Sequence, residues 1–378
     1  MPYNQKRTLL SVSLVFLLSA CSDNGGTTPP TGSDSGPAPG SDASTPIVSP
    51  LSTLTPDDGV RLTCAAIPRI GQEGGTYYLY HNTELASETG RQYATSTDAL
   101  SFGSPKKSVQ ENVNGKLFAV LTGSPGRQKL PSPSARTTPC MNPTHRVYTH
   151  NGALQGFGTG ITANCSTDGE RFASEGVDLI TSEEGGQMGV VTSYALGGRV
   201  HVLTMDGMND HHRIWHYKST DGTGDSFTLV SNDPLGNGDM KGGNIRHNDP
   251  FAYAMDDGSF LVLTMRMHGG NINPPNTRTG EIHAWRASAA NGDSVVGENL
   301  VAGENEALID VDDFVAAGHD VYSVNDPSVI KLADGRYRVY VGALLKAASY
   351  PSEDLSGCIA KNIKEDGYAW AILSATSQ

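Results

Sequence analysis

Positive charge is scarce in this chain: 27 Lys and Arg stand against 40 Asp and Glu over 378 residues, a formal net charge of −13. A surface that acidic repels phosphate backbones, so nucleic acid is not expected as a partner. Charged residues of either sign are few, 18%, and no long stretch carries the Ala/Glu/Lys/Leu bias of a helical bundle, which argues against an all-α fold. The apolar run from Leu9 to Ala20 is broken by serines and too short to cross a bilayer stably. None of the five cysteines lies in a Cys-x-x-Cys pair, so a zinc site of that kind has no ligands. A Gly-x-Ser-x-Gly elbow, a P-loop and His-Glu-x-x-His are also missing, which leaves serine-hydrolase, NTPase and zincin chemistry without support. Turn-formers are plentiful instead, with 44 Gly and 21 Pro, well above the average of about 12% for the two together. With 37% hydrophobic residues to build a core, the composition describes a turn-rich β protein.

The N-terminus reads as an address. Lys6 and Arg7 precede the apolar run, as in a signal peptide. The run ends Leu18-Ser19-Ala20-Cys21, which resembles the lipobox of bacterial lipoproteins, where small residues admit the peptidase and the cysteine thiol receives diacylglycerol. Residues 1–20 are therefore expected to be removed, with Cys21 lipidated. Ser22 follows in place of an inner-membrane retention Asp, so the outer membrane is the expected destination in a Gram-negative host. Residues 21–55 are rich in Gly, Ser, Pro and Thr and form a flexible linker. The folded domain then spans 56–378. Its four cysteines, Cys64, Cys140, Cys165 and Cys358, allow three pairings in an oxidising compartment. Cys140–Cys165 with Cys64–Cys358 is preferred, because the second bond would staple the first repeat of the domain to the last.

A repeat of about 65 residues organises that domain. Asn248-Asp249-Pro250 leads through an apolar strand to Asp257-Gly258 and a second strand, and Asn325-Asp326-Pro327 leads in the same spacing to Asp334-Gly335. Asp-Gly between alternating apolar runs signals a hairpin, for which a type I′ turn is expected. Gly197-Gly198 and Gly74-Gly75 turn two further copies, and residues 144–152 look like a degenerate fifth. Between the hairpins come strands ending Ser96-Thr97-Asp98, Ser166-Thr167-Asp168 and Ser219-Thr220-Asp221, each followed by an aromatic. Ser and Asp there suit turns, whose backbone they can bond. The unit is strand, Gly turn, strand, long loop, strand, Ser-x-Asp turn, strand. Five such units predict an all-β, five-bladed β-propeller of four-stranded antiparallel blades. The last unit lacks a fourth strand, and the N-terminal strand 60–64 is expected to pair with 369–377 and close the ring.

The Asp-Pro hairpins and Ser-Thr-Asp-Gly-x-x-Phe turns resemble the five-bladed propeller glycosidases, the arabinanase and β-xylosidase family with its fructan-hydrolase and mannoside-phosphorylase relatives. That resemblance implies a general base Asp at an inner-strand start, a second Asp that tunes pKa, and a general acid Glu. Asp249 and Asp326 match the Asp-Pro motif, whereas the first unit has Ala66-Ile67-Pro68 in its place. In a propeller the inner strands begin at one face, and the loops between second and third strands return to it. This rule brings His81, Asp206, Asp210, His211, His212, His247, Asp249, His268, Arg278, Glu281, Asn325 and Asp326 to a single face. Asp249, Asp326 and Glu281 are the candidate catalytic carboxylates, one protonating a leaving oxygen while another activates water or attacks carbon. His247, His268, Arg278, Asn325, His211 and His212 are candidate sugar contacts, and the loop 268–280 a specificity loop. Asp98, Asp168 and Asp221 fall on the opposite face as turn-makers; His201, Trp215 and Trp285 are read as core. No cofactor is called for, and a structural cation is left open. The leading expectation is a lipid-anchored, monomeric glycoside hydrolase with a carbohydrate substrate. The alternatives are a non-catalytic propeller that binds glycan or protein, and a sialidase-like hydrolase, which would need Arg69, Arg246, Arg266 and Arg278 to grip a carboxylate.

Overall fold

The computed structural model describes residues 51, 53–84, 91–123, 125–151, 157–182, 188–206, 213–232, 234, 247–266, 278–287, 306–353, 355, 357–358 and 367–378. Two short strands, β1 (Leu54–Pro56) and β2 (Leu62–Thr63), come first. Blade 1 follows as β3 (Ala65–Glu73), β4 (Thr76–Thr83), β5 (Arg91–Ser96) and β6 (Lys106–Lys107). Blade 2 holds β7 (Gln110–Val113), β8 (Lys116–Val120), β9 (Gln128–Lys129), β10 (His145–His150), β12 (Gly160–Ser166) and β13 (Arg171–Thr181). Blade 3 takes β11 (Phe157–Gly158), β14 (Met188–Leu196), β15 (Arg199–Asp206), β16 (Arg213–Ser219) and β17 (Phe227–Ser231). Blade 4 is β18 (His247–Ala254), β19 (Phe260–Arg266), β20 (Glu281–Ala287) and β21 (Ile309–Asp310). A short helix α1 (Val311–Ala316), capped by the Asp310 carboxylate on the amides of Asp312 and Asp313, leads into blade 5: β22 (Val321–Lys331), β23 (Tyr337–Lys346) and β24 (Tyr368–Ser377).

The five antiparallel sheets form a propeller. β14 packs on β18, β18 on β22 and β22 on β3, and β14 also meets β9 and β10. Blade 1 reaches blade 2 through Tyr80, whose hydroxyl donates to the Thr122 carbonyl, and through Arg127 paired with Glu73 at 3.4 Å. Apolar side chains from neighbouring blades fill the space between sheets. Leu263, Ile282, Val324, Val341 and Leu373 join blades 4 and 5, while Leu79, Ala94, Ile330 and Tyr340 join blades 5 and 1. Trp215 and Trp285 are buried in such clusters. His201 is buried too, stacked on Tyr194, with its Nδ1 2.9 Å from Nε2 of His216.

The N-terminal segment lies along the last strand of the chain. Leu54 faces Ser377, Pro56 faces Ala375, Leu62 faces Ile372 and Thr63 faces Ala371. Asp57 ties this segment down, accepting from the hydroxyls of Ser374 and Thr376 and pairing with Arg338 at 3.1 Å. Disulfides link Cys64 to Cys358 and Cys140 to Cys165.

Two details depart from expectation. The Gly-Gly turns have both residues at positive φ, as two-residue primed turns require. In the Asp-Gly turns only Gly258 and Gly335 are left-handed. There the amides of Gly258 and Gly335 donate to the Met255 and Leu332 carbonyls, while those of Ser259 and Arg336 donate to the Asp257 and Asp334 carboxylates. These are three-residue loops, a type I turn closed by a left-handed glycine, and not type I′. Blade 2 also differs from the other units. Residues 145–150 form the strand before the Ser-x-Asp strand, hence the second of the blade, and the first is only the two-residue β9. A hairpin, β7–β8, extends this sheet on its outer side to six strands in the order β7-β8-β13-β12-β10-β9.

Candidate functional site

Three inner strands carry the same backbone device. In β3, β18 and β22 the ladder register slips between Ala66 and Arg69, between Asn248 and Phe251, and between Asn325 and Ser328. Each slip is a bulge around an X-Pro pair, the setting in which a strand tolerates proline. The residue before each proline is left-handed: Ile67 at φ 54°, Asp249 at 49° and Asp326 at 48°. Pro68, Pro250 and Pro327 thus mark equivalent positions on blades 1, 4 and 5, two with a carboxylate and one without.

Asp249 is buried and Asp326 half-buried. Among the described residues neither carboxylate receives a hydrogen bond, so both remain available to a ligand. Desolvation pushes the Asp249 carboxyl well above the usual range, the charge of Asp326 adds to the rise, and Arg69 opposes it. Asp326 is raised as well, by desolvation against the pull of Arg69. Two like charges this close cannot both ionise freely, so the pair titrates as a unit and holds a proton longer than free carboxylates would.

Arg69 completes the group from blade 1. It is buried, its Nη1 donates to the carbonyls of Pro68 (3.0 Å) and Pro327 (3.3 Å), and its guanidinium lies 5.6 Å from the Phe251 ring centroid. By residue type alone Arg69 is one of a set with Arg246, Arg266 and Arg278. A usable signal was there: Ile67-Pro68-Arg69 aligns with Asp249-Pro250-Phe251 and Asp326-Pro327-Ser328, so the repeat that lacks the acid carries a base two residues on.

The other candidates fall in different places. Glu281 pairs with Arg266 Nε at 3.2 Å and lies 3.0 Å from Nε2 of His283. His247 is buried beside it, its ring edge-on to His283 and Trp285 and its Nδ1 2.9 Å from the Thr264 hydroxyl. Burial, then His283 and Arg266, hold its pKa down to about 3, so this imidazole is neutral at ordinary pH. Asn325 is buried over the bare Cα of Gly342, where a Cβ would come within 3.0 Å of its Oδ1, so it packs within its own sheet. Arg278 is exposed and pairs with Asp320 at 3.7 Å. His211, His212, His268, Asp210 and Arg246 lie outside the described residues. Arg69, Arg266 and Arg278 each face a different acid, so among the described residues no arginine trio grips one anion. Nor do three His, Cys, Asp or Glu side chains among them converge to hold a metal.

The opposite face carries the turns. Ser101 amide, Ser96 hydroxyl and Leu100 amide all donate to Asp98 and hold its carboxyl far below the usual range. Asp168 accepts likewise from Ser166, Glu170 and Arg171, and Asp221 from Thr223.

No protein-family model and no curated protein matches the sequence. Solved structures do. The chain is similar to a thermostable family-43 glycoside hydrolase, with TM-score 0.44, 12% identity, and 76% of this chain covering 86% of that one. It is similar to an α-L-arabinofuranosidase of Podospora anserina solved with cellotriose, with TM-score 0.43, 11% identity, and coverage of 85% and 96%. It is also similar to an endo-1,4-β-xylanase of Bacteroides thetaiotaomicron, with TM-score 0.45, 13% identity, and coverage of 77% and 89%.

Proposed function

We propose that this protein hydrolyses glycosidic bonds, with Asp249 and Asp326 as its working carboxylates. One observation carries the reading: two aspartates, delivered by equivalent left-handed bulges of adjacent blades, share a buried setting that raises both carboxyls, with Arg69 beside them. Asp249 is buried where Asp326 is only half-buried, so it is given the shared proton, which it passes to the leaving oxygen as the bond from that oxygen to the anomeric carbon breaks. Asp326, as carboxylate, takes a proton from the water whose oxygen bonds to that carbon. Arg69 favours the singly ionised pair over the fully protonated one, which keeps a base present alongside the acid. Glu281, tied to Arg266 and His283, is assigned the positioning of blade 4 and not proton transfer. The chain acts at the cell envelope in this reading, anchored through lipidated Cys21, as a monomer without cofactor.

Asp249→Asn and Asp326→Asn should each fold and each lower turnover of a susceptible glycoside by about two to four orders of magnitude. The wild type is first screened on aryl-glycosides and on plant, algal and bacterial polysaccharides. Ile67 gives a second reading its foothold, since the first blade offers no carboxylate at the third bulge. If no glycan in the screen is cleaved, the propeller is a glycan- or protein-binding module instead.

A further inference from the structure

Blade 1 presents a second charged feature at the same face, turned toward blade 2. Arg69 of β3 faces Tyr80 of β4, Tyr80 faces Tyr93 of β5, and Arg91 lies two residues from Tyr93. Because side chains alternate along a strand, all four project from one side of the sheet. That side is the one from which Tyr80 reaches Thr122 of blade 2. Arg91 is exposed, and among the described residues it makes no ion pair and no hydrogen bond. Its neighbours differ: Arg69 has the Asp pair, Arg127 has Glu73, Arg266 has Glu281 and Arg278 has Asp320.

His150, at the end of β10 in blade 2, lies close enough to Arg91 to feel its charge. Its Nδ1 is buried and has no hydrogen-bond partner. Desolvation and then Arg69 draw the Arg91 pKa down to about 10. Two guanidinium groups and an imidazole with an idle nitrogen thus meet at one boundary, where the nearby Glu73 is already paired with Arg127. In a chain of net charge −13, such a place is where an anion would be held against a repelling surface. A guanidinium takes a carboxylate in two parallel hydrogen bonds, and an idle imidazole nitrogen can add a third.

We propose that Arg91 and His150 form an anion subsite that takes the carboxylate of an acidic sugar, placing that residue across Arg69 from the Asp249–Asp326 pair. The proposal rests on the glycan reading above and narrows its substrate class to uronate-containing glycans.

The test is calorimetric titration of the full-length protein with trigalacturonate, trimannuronate and triglucuronate, each against its own methyl ester. An ester keeps the sugar and removes only the charge. The wild type should bind at least one acid about tenfold more tightly than its ester, a preference that fades with added salt. Arg91→Gln should erase most of that preference and Arg91→Lys should keep part of it, with melting temperatures confirming that both fold. The proposal is overturned if no acid is preferred over its ester, or if the preference survives in Arg91→Gln. Cleavage is scored separately. A neutral glycan hydrolysed without acidic preference sinks the subsite and leaves the hydrolase standing; an Arg91-dependent acidic preference without cleavage does the reverse.

Discussion

The bond between Cys64 and Cys358 should be the larger of the two covalent contributions to stability, by an amount that chain length sets. It joins residues 294 apart, whereas Cys140 and Cys165 are 25 apart. A cross-link restricts the unfolded chain in proportion to the logarithm of the loop it closes, which gives about 5.7 kcal/mol for the long loop and about 3.5 kcal/mol for the short one. All four cysteines are buried to a similar degree, so the loss of packing on truncation to alanine is comparable in both pairs and cancels in the comparison. The difference, about 2 kcal/mol, is the quantity to measure. Equilibrium denaturation in guanidinium of the Cys64→Ala/Cys358→Ala and Cys140→Ala/Cys165→Ala proteins yields it directly, with a steeper dependence on denaturant as the unfolded state expands. The site should feel the first change sooner than global unfolding does, because Cys64 sits between β2, paired to β24, and the bulge of β3 that sets Arg69. Equal losses in the two variants, or a larger one for Cys140–Cys165, would refute the loop-length reasoning.

Further outcomes can be stated more briefly. Arg146 is fully buried between blades 2 and 3 and is held by Glu175 at 2.6 Å and Asp225 at 2.7 Å; Glu175→Ala should cost about 3–5 kcal/mol in thermal or chemical unfolding, since it strands a buried charge. The raised carboxyl of Asp249 keeps its proton in the native state where the unfolded chain has lost it, so its contribution to stability is complete below the unfolded value and fades as pH rises through the raised one. Asp249→Asn should therefore flatten the fall in stability above about pH 4, and an unchanged pH slope would show that the carboxyl is not raised. Cys21→Ala should move the protein from the membrane fraction to the soluble one; retention in the membrane would end the lipid-anchor reading.

What could be read from the sequence was whatever local backbone chemistry dictates. Gly-Gly and Ser-x-Asp turns announce themselves because few residues accept left-handed φ or bond their own turn, and they place most strands by themselves. Asp-Gly marks where those turns lie but not their geometry, since the same dipeptide serves in a three-residue loop where Asp works through its carboxylate. Blade 2 escaped for a different reason. An inner strand of two residues has no period to detect, and the β7–β8 hairpin belongs to no repeat. Arg69 and Arg91 are obscured because their importance is relational: one is defined by acids 180 and 257 residues away in sequence, the other by having no acid partner among the described residues.

The isoleucine of blade 1 bears on whether Asp249 and Asp326 are there for the backbone or for chemistry. A β-branched residue is among the least suited to left-handed φ, yet Ile67 adopts it at the same bulge, before the same proline. The bulge therefore forms without a carboxylate to cap it. In blades 4 and 5 neither carboxylate bonds the backbone among the described residues, so capping does not account for them there either. If comfort in the left-handed region were the only demand, glycine or asparagine would meet it without placing ionisable groups in a poorly solvated setting. An aspartate costs more at such a site, because desolvation and the second acid penalise its charged form. That cost has no structural return among the described residues. The hydrolase reading proposed above gives it a chemical one, since a pair of carboxyls that shares a proton is an arrangement acid–base transfer can use.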